Sequence, residues 1–294
     1  MHNYVVIPTV GRVQLLGLVL VHTIKYLPKG WRIIVVGADE GDIPNNSEAQ
    51  LFSEFVDFYV SSKGASAQRN FGVSRAIVDA NLIVFLDDDF IVDEFYFKTI
   101  SELFDADADI VGVNTSLLLD GATNQGYDFN YALDRLKAHR VKTMFTGYYE
   151  VSTLYGCNMA VRADALRQFS PWFDPMLPLY SWLEDRDFSH KLKIYGRLVR
   201  TKQCLGVHLG FKQGRTSGIR YGYSQIVNPI YLYRKGSLSF SSAVSLVGRP
   251  FFMNVVRYGF PEKWIDRRGR LIGNFYAFRD ILNLTLDPTK ILRM

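Results

Sequence analysis

Three consecutive carboxylates, Asp87-Asp88-Asp89, stand directly behind the apolar run Leu82-Ile83-Val84-Phe85-Leu86. Like charges crowded at a strand end repel one another unless something positive offsets them. A hard divalent cation sharing its coordination with phosphate oxygens meets that need, which makes Mn2+ or Mg2+ the expected cofactor. Along an extended segment, alternation sends Asp87 and Asp89 to one side and Asp88 to the other. The competing role for the triplet, capping the next helix, falls better to Asp93, at the head of a helix expected over 93–104.

Two further groups can do chemistry. Ser62-Lys63-Gly64-Ala65-Ser66-Ala67-Gln68-Arg69-Asn70 lies one segment upstream. Gly64 permits a tight turn, and the helix expected behind it offers free N–H groups and a positive dipole end to an anion. Lys63 and Arg69 can reach a phosphate or pair with the aspartates. Downstream, Glu184 and Asp185 open an expected helix, where capping alone accounts for carboxylates. As chemistry, they offer a general base for a hydroxyl proton. Trp182 offers a flat apolar face on which a sugar ring can stack, or simply packs in the core. His208, between Gly206 and Gly210, is suited to complete the coordination of a cation held by Asp89.

These groups need a frame that brings them together. Strand patterns at 4–7, 32–36, 57–60, 82–86 and 110–114 alternate with helix patterns at 13–25, 66–78 and 93–104. Strands separated by single helices predict an α/β fold with a doubly wound, mostly parallel sheet. Ligands bind at the carboxyl edge of such a sheet. The segments Pro8-Thr9-Val10-Gly11-Arg12, Gly37-Ala38-Asp39-Glu40, Ser62-Lys63-Gly64 and Asp87-Asp88-Asp89 are all expected there. The stretch 117–151 is polar and aromatic without a period and reads as a loop or lid.

Composition sets the limits. With 294 residues, 48% hydrophobic and 21% charged, the chain can bury a core. Two cysteines, Cys157 and Cys204, fit a reducing cytosol, and no further Cys supports a structural zinc. Neither a secretory signal nor a membrane-spanning run is read, so residence in the cytoplasm is expected. From Phe211 onward there are 14 Lys and Arg against 4 Asp and Glu, while the preceding residues carry 20 against 25. A basic, aromatic tail behind an acidic body calls for an anionic partner. A membrane surface at the inner face of the cell membrane suits it better than nucleic acid, for which no recognised module is present.

In order along the chain, these motifs resemble family 2 glycosyltransferases, inverting enzymes of the GT-A fold. Ile7-Pro8-Thr9 with Gly11-Arg12 resembles the family's opening nucleotide-binding turn. Gly64 with Gln68-Arg69-Asn70 resembles its glycine–Ala-Arg-Asn element, and Phe85-Leu86-Asp87-Asp88-Asp89 its DxD motif. Gly156-Cys157-Asn158 is similar to its Gly-Gly-Asn turn, and Leu183-Glu184-Asp185-Arg186-Asp187-Phe188 to its Glu-Asp-x-Asp-Leu element. Two departures stand out: Gly37-Ala38-Asp39-Glu40 replaces an Asp-Asp-Gly-Ser run, and Cys157 replaces a glycine.

The resemblance implies a GT-A domain over 1–214, with a nucleotide-sugar half to about 115 and an acceptor half beyond it. Residues 215–294 read as a basic, aromatic helical extension, either a membrane-associating segment or a cap that completes the core. The resemblance also implies that Pro8, Thr9 and Asp39 line a uracil and ribose pocket, with Arg12, Gly64, Arg69, Asp87 and Asp88 completing the donor side. Asp89 and His208 would hold the metal, and Asn158, Trp182 and Glu184 would meet the acceptor. Asp185 would be the catalytic base. The implied partners are a nucleotide-sugar, UDP-linked by expectation, and a saccharide or lipid-linked saccharide acceptor in polysaccharide or glycolipid synthesis. A nucleotidyltransferase would open with a Gly-rich basic phosphate loop, which Pro8-Thr9-Val10-Gly11-Arg12 is not. A non-catalytic nucleotide-sugar binder would have no use for the base.

Overall fold

The structure is a computed structural model that describes residues 2–139, 147–212 and 216–294. The chain opens with β1 (His2–Thr9), α1 (Val13–Tyr26), β2 (Trp31–Gly37), a short α2 (Asn46–Gln50), β3 (Val56–Val60), α3 (Ala65–Ala76) and β4 (Ala80–Leu86). These match the expected alternation. Next come β5 (Phe90–Val92) and α4 (Tyr96–Ala106). The helix expected from Asp93 therefore starts three residues later. β5 carries the chain past the triplet in extended form, and the Asp93 carboxylate accepts from Phe95 N at 2.9 Å ahead of the first helical turn.

β6 (Ile110–Asp120) runs further than expected and is followed by α5 (Phe129–His139) and β7 (Tyr148–Glu150). The stretch expected as a loop or lid is thus largely regular structure, and its residues 140–146 lie outside the described residues. α5 hid in the sequence because it buries only Ala132 and Leu136, four residues apart, among polar neighbours. β8 (Asn158–Arg162), α6 (Ala163–Leu166), α7 (Glu184–Leu192) and β9 (Arg197–His208) complete the body.

The sheet runs β3-β2-β1-β4-β8-β6-β9-β5, with β7 added on β9. β3, β2, β1 and β4 are all parallel. β8 enters antiparallel between β4 and β6, and β9 returns parallel to β6. Central strands covered on both faces need apolar residues at every position. Val5, Ile7, Val84 and Leu86 point into a core under α1 and α4, while Val6, Ile83 and Phe85 point into a second core with Val73 of α3 and Phe188 of α7. Cys157 and Cys204 are both buried and free.

Three helices close the chain: α8 (Gly218–Lys235), α9 (Phe240–Val256) and α10 (Arg267–Leu282). They build their own small core around Tyr223, Ile226, Val227 and Ala277. Their period was masked by buried polar residues: Asn254 donates to Gln225 and to Asn274, both of which lie inside the helix cluster. α8 is fastened to the body, for Lys235 Nζ meets Asp174 at 2.5 Å and Asp187 at 2.8 Å, and Ser237 donates to Asp187. The boundary expected between residues 214 and 215 lies outside the described residues. Among the described residues no helix is long and apolar enough to cross a membrane.

Candidate active site

β4 delivers the triplet to the carboxyl edge. A tight turn follows, with Phe90 N donating to Asp87 O at 3.0 Å. β5 then pairs antiparallel with the end of β9, setting Phe90 opposite His208. This brings in a residue 119 positions away from Asp89. Gly210 is needed for the fit: its φ is +68°, and a Cβ there would meet the Gly121 backbone at about 2.0 Å.

Asp87, Asp89 and His208 each offer a ligand atom, all within 4.8 Å of one another. His208 Nε2 lies 3.4 Å from Asp89 Oδ1 and 3.9 Å from Asp87 Oδ2. The other ring nitrogen, Nδ1, is 2.9 Å from Asp120 Oδ1. Asp120 in turn accepts from Tyr155 OH at 3.1 Å. Asp89 Oδ1 is buried and has no hydrogen-bond partner. Two carboxylate oxygens and an imidazole nitrogen, one oxygen left unsatisfied, form a donor set that suits Mn2+. Burial disfavours a charged His208, but Asp89, Asp120 and Asp87 outweigh it and push its pKa up to about 10. Asp89 is likewise desolvated, yet His208 and Arg12 hold it below the usual carboxylate range.

Asp88 faces Thr9 and Arg12 instead; the direction agrees with the expectation, although the triplet lies in the turn from Asp87 to Phe90 rather than in extended strand. Its oxygens accept from Thr9 Oγ1 at 2.7 Å and Arg12 Nη1 at 2.6 Å. Asp88 thus braces Arg12 while lining the cavity with its neighbours, and burial pushes its pKa to about 6 against the pull of that cation.

Arg69 is fully buried and links the two acidic groups: Nη1 meets Glu184 Oε1 at 2.5 Å, and Nη2 meets Asp87 Oδ1 at 2.7 Å. Burial pushes Glu184 up to about 8 against the pull of Arg69. Asp185 is half-buried, accepting from Gly156 N at 3.1 Å and from its neighbour Arg186 N at 2.8 Å. Burial raises its pKa as well, opposed by the Gly156 hydrogen bond and Arg69.

One cavity of about 810 Å³ collects Pro8, Thr9, Arg12, Gly64, Arg69, all three aspartates, Trp182, Glu184, Asp185 and His208. Two expected residues stay outside it. Asp39 is exposed, and its carboxylate accepts from Gly41 N within a short capped turn. Asp42 turns inward instead, accepting from Gly11 N at 2.5 Å and Ala38 N at 2.9 Å, and so ties the β2 turn to the β1 turn. Asn158 is fully buried; its Oδ1 accepts from Thr115 N at 2.9 Å, which makes it a strand fastener rather than an acceptor contact.

The expected free N–H groups at the start of α3 are occupied as well. Ala65 N donates to Leu179 O at 2.8 Å, and Ser66 N to Ser181 Oγ at 3.1 Å. Gly64, at φ +138°, lets the Leu179 backbone approach. The helix start thus holds the loop that leads to Asp185, not an anion. That loop carries three non-glycine residues at positive φ, Leu179, Ser181 and Leu183, a strain that the surrounding bonds must hold. Sequence reasoning missed Asp120, although it ends the apolar run Leu117-Leu118-Leu119 just as the triplet ends its own. It also missed Tyr221 and Arg270 of the tail, which line the cavity; Arg270 lies over the Tyr221 ring at 4.4 Å, and Trp182 meets that ring edge-on.

Residues 4–169 match the family described as glycosyl transferase family 2. No curated protein sequence matches. Among solved structures, the chain is similar to GalNAc-T7 with UDP, GalNAc and Mn2+, at TM-score 0.57 and 15% identity over 100% of this chain and 56% of that one. The mannosyltransferase PcManGT from Pyrobaculum calidifontis, with GDP-Man and Mn2+, gives TM-score 0.55 and 12% identity over 99% and 85%. S. aureus TarS gives 0.52 and 16% over 99% and 55%. The chain thus spans little more than half of two of these proteins, and at such identities they share its fold. The family match covers more than half the chain, and the expectation drawn from the ordered motifs holds: the protein belongs to glycosyl transferase family 2.

Proposed function

We propose that the protein transfers a sugar from a nucleotide-sugar, UDP-linked, to an acceptor hydroxyl with inversion at the anomeric carbon. The observation that carries this reading is the shared cavity, in which the Asp87–Asp89–His208 cluster and the carboxylate of Asp185 face one space. Pro8 and Thr9 bind the nucleoside end. Asp87, Asp89 and His208 hold Mn2+, which supplies positive charge against the leaving diphosphate. Asp185 takes the proton of the attacking hydroxyl. Glu184 is committed to Arg69, so the pair positions the helix start and leaves Asp185 as the group free to accept. Trp182 and Tyr221 offer ring faces to the acceptor sugar.

The reading is tested by product release from UDP-sugars in the presence of Mn2+. Release of UDP supports transfer, whereas pyrophosphate would indicate nucleotidyl transfer, and no product would leave only a binder.

Asp120→Asn is expected to weaken Mn2+ affinity about 10- to 100-fold, because the partner of a ligating histidine fixes its ring and tautomer. Calorimetric titration measures this, and an unchanged affinity would remove His208 from the ligand set.

The acceptor is a saccharide or lipid-linked saccharide of polysaccharide or glycolipid synthesis, met at an anionic bilayer on the inner face of the cell membrane. Exposed Phe252, Phe260, Leu282 and Leu284 support this, beside exposed Arg257, Lys263 and Arg268. Apolar anchors next to cations suit an anionic interface. Co-sedimentation with phosphatidylglycerol vesicles is expected, and F252S/F260S should weaken it about tenfold. Equal recovery of the variant with vesicles would remove the membrane from the reading.

A further inference from the structure

Most arginines of the cavity are already engaged. Arg12 is held by Asp88, Arg69 by Glu184 and Asp87, and Arg267 by Glu262. Arg186 and Arg200 line the same cavity, yet among the described residues neither guanidinium has a hydrogen bond or ion pair. The Nε of Arg200 is buried with no partner at all. A buried donor without a partner is costly unless a ligand supplies one.

The two arginines flank one short segment. Val151 N donates to Leu198 O of β9, two residues before Arg200. Leu154 N donates to Ser189 Oγ of α7, three residues after Arg186. The segment 151–154 is thus clasped between the strand that carries Arg200 and the helix that carries Arg186. Arg186 directly follows Asp185, so both arginines belong to the acceptor half. Arg200 pairs with Asn114 and His208 with Asp120, and with the bulge after Thr201 they are five ladder steps apart, roughly 17 Å, still beyond the reach of a diphosphate held at the metal-ligating cluster.

We infer that the acceptor carries an anionic group, a phosphate or a carboxylate, received by Arg186 and Arg200 beside the 151–154 segment. The planar fork of a guanidinium matches either oxyanion with two parallel hydrogen bonds. This rests on the glycosyltransferase reading and narrows its acceptor class. Lys63, also in the cavity, lies in the donor half and belongs to the nucleotide side.

The test compares glucose, glucose 6-phosphate and glucuronate as probes, titrated by calorimetry into the protein with UDP and Mn2+ present. At least one anionic sugar is expected to bind about tenfold or more tightly than glucose. Which of the two wins distinguishes a phosphate from a carboxylate as the natural group. In R186Q/R200Q the preference should vanish while UDP and Mn2+ still bind, which also verifies folding. Equal binding of all three sugars to the wild type, or a preference that survives the double variant, would overturn the inference. Failure of UDP to bind the wild type would instead overturn the parent reading, and the acceptor assignment with it.

Discussion

Asp185→Asn is expected to lower kcat about 10²- to 10⁴-fold while leaving UDP and Mn2+ binding unchanged, the loss typical of a removed general base. Asn keeps the shape of the side chain, and its single oxygen can still accept from Gly156 N, while its amide group takes the place of the oxygen that accepts from Arg186 N; unchanged UDP binding is the check that the local fold survives this loss. It cannot take a proton. The effect should therefore fall on kcat with the donor affinity intact. A pH profile checks the same assignment. Burial raises the Asp185 pKa, so the acidic limb of kcat/KM should lie above the ordinary carboxylate value of about 4, with activity rising as Asp185 ionises. A variant that turns over at the wild-type rate, measured by UDP release, would remove Asp185 from the reaction.

Asp89→Asn is expected to abolish stabilisation by Mn2+ and to lower kcat/KM about 10²- to 10³-fold. In the wild type, Mn2+ at about 100 times its Kd should add about 2.7 kcal/mol of stability, read as a raised melting temperature. The variant replaces the unpartnered Oδ1 by an amide group that is a poor ligand and adds N–H donors facing His208. Arg12 and the Phe211 amide also lose the charge they gather around. The metal-free variant should therefore melt lower as well. Its sign with pH follows from the depressed pKa of Asp89: the stability that this carboxylate contributes is present above its unfolded pKa and lost as the pH falls toward its folded value. A variant that Mn2+ still stabilises would place the ion elsewhere.

The parts legible in the sequence are those set by local rules. β1 and β4 announced themselves because a strand covered on both faces must be apolar at every position, and Val5, Val6, Ile7 and Ile83, Val84, Phe85, Leu86 have no polar break. Asp88 does part from its two neighbours as alternation predicts, but it does so within the turn from Asp87 to Phe90, which alternation does not describe. Asp39 and Asn158 stand where the motif order puts a ligand contact, but what each side chain meets is set by its surroundings: the Asp39 carboxylate accepts from Gly41 N in an exposed turn, and Asn158, opening β8, is buried and accepts from Thr115 N of β6.

The sequence by itself therefore determined the α/β frame, the acidic strand end and the family, because periodicity and strand-end carboxylates are properties of a few neighbouring residues. Only the tertiary structure decided which groups meet. His208 reaches Asp89 through the pairing of β5 with β9, Asp120 orients it through the parallel pairing of β6 with β9, and Arg69 joins Glu184 to Asp87 across the cavity. Those encounters depend on strand register and on close approaches such as that of Gly210 to Gly121, which no local pattern encodes.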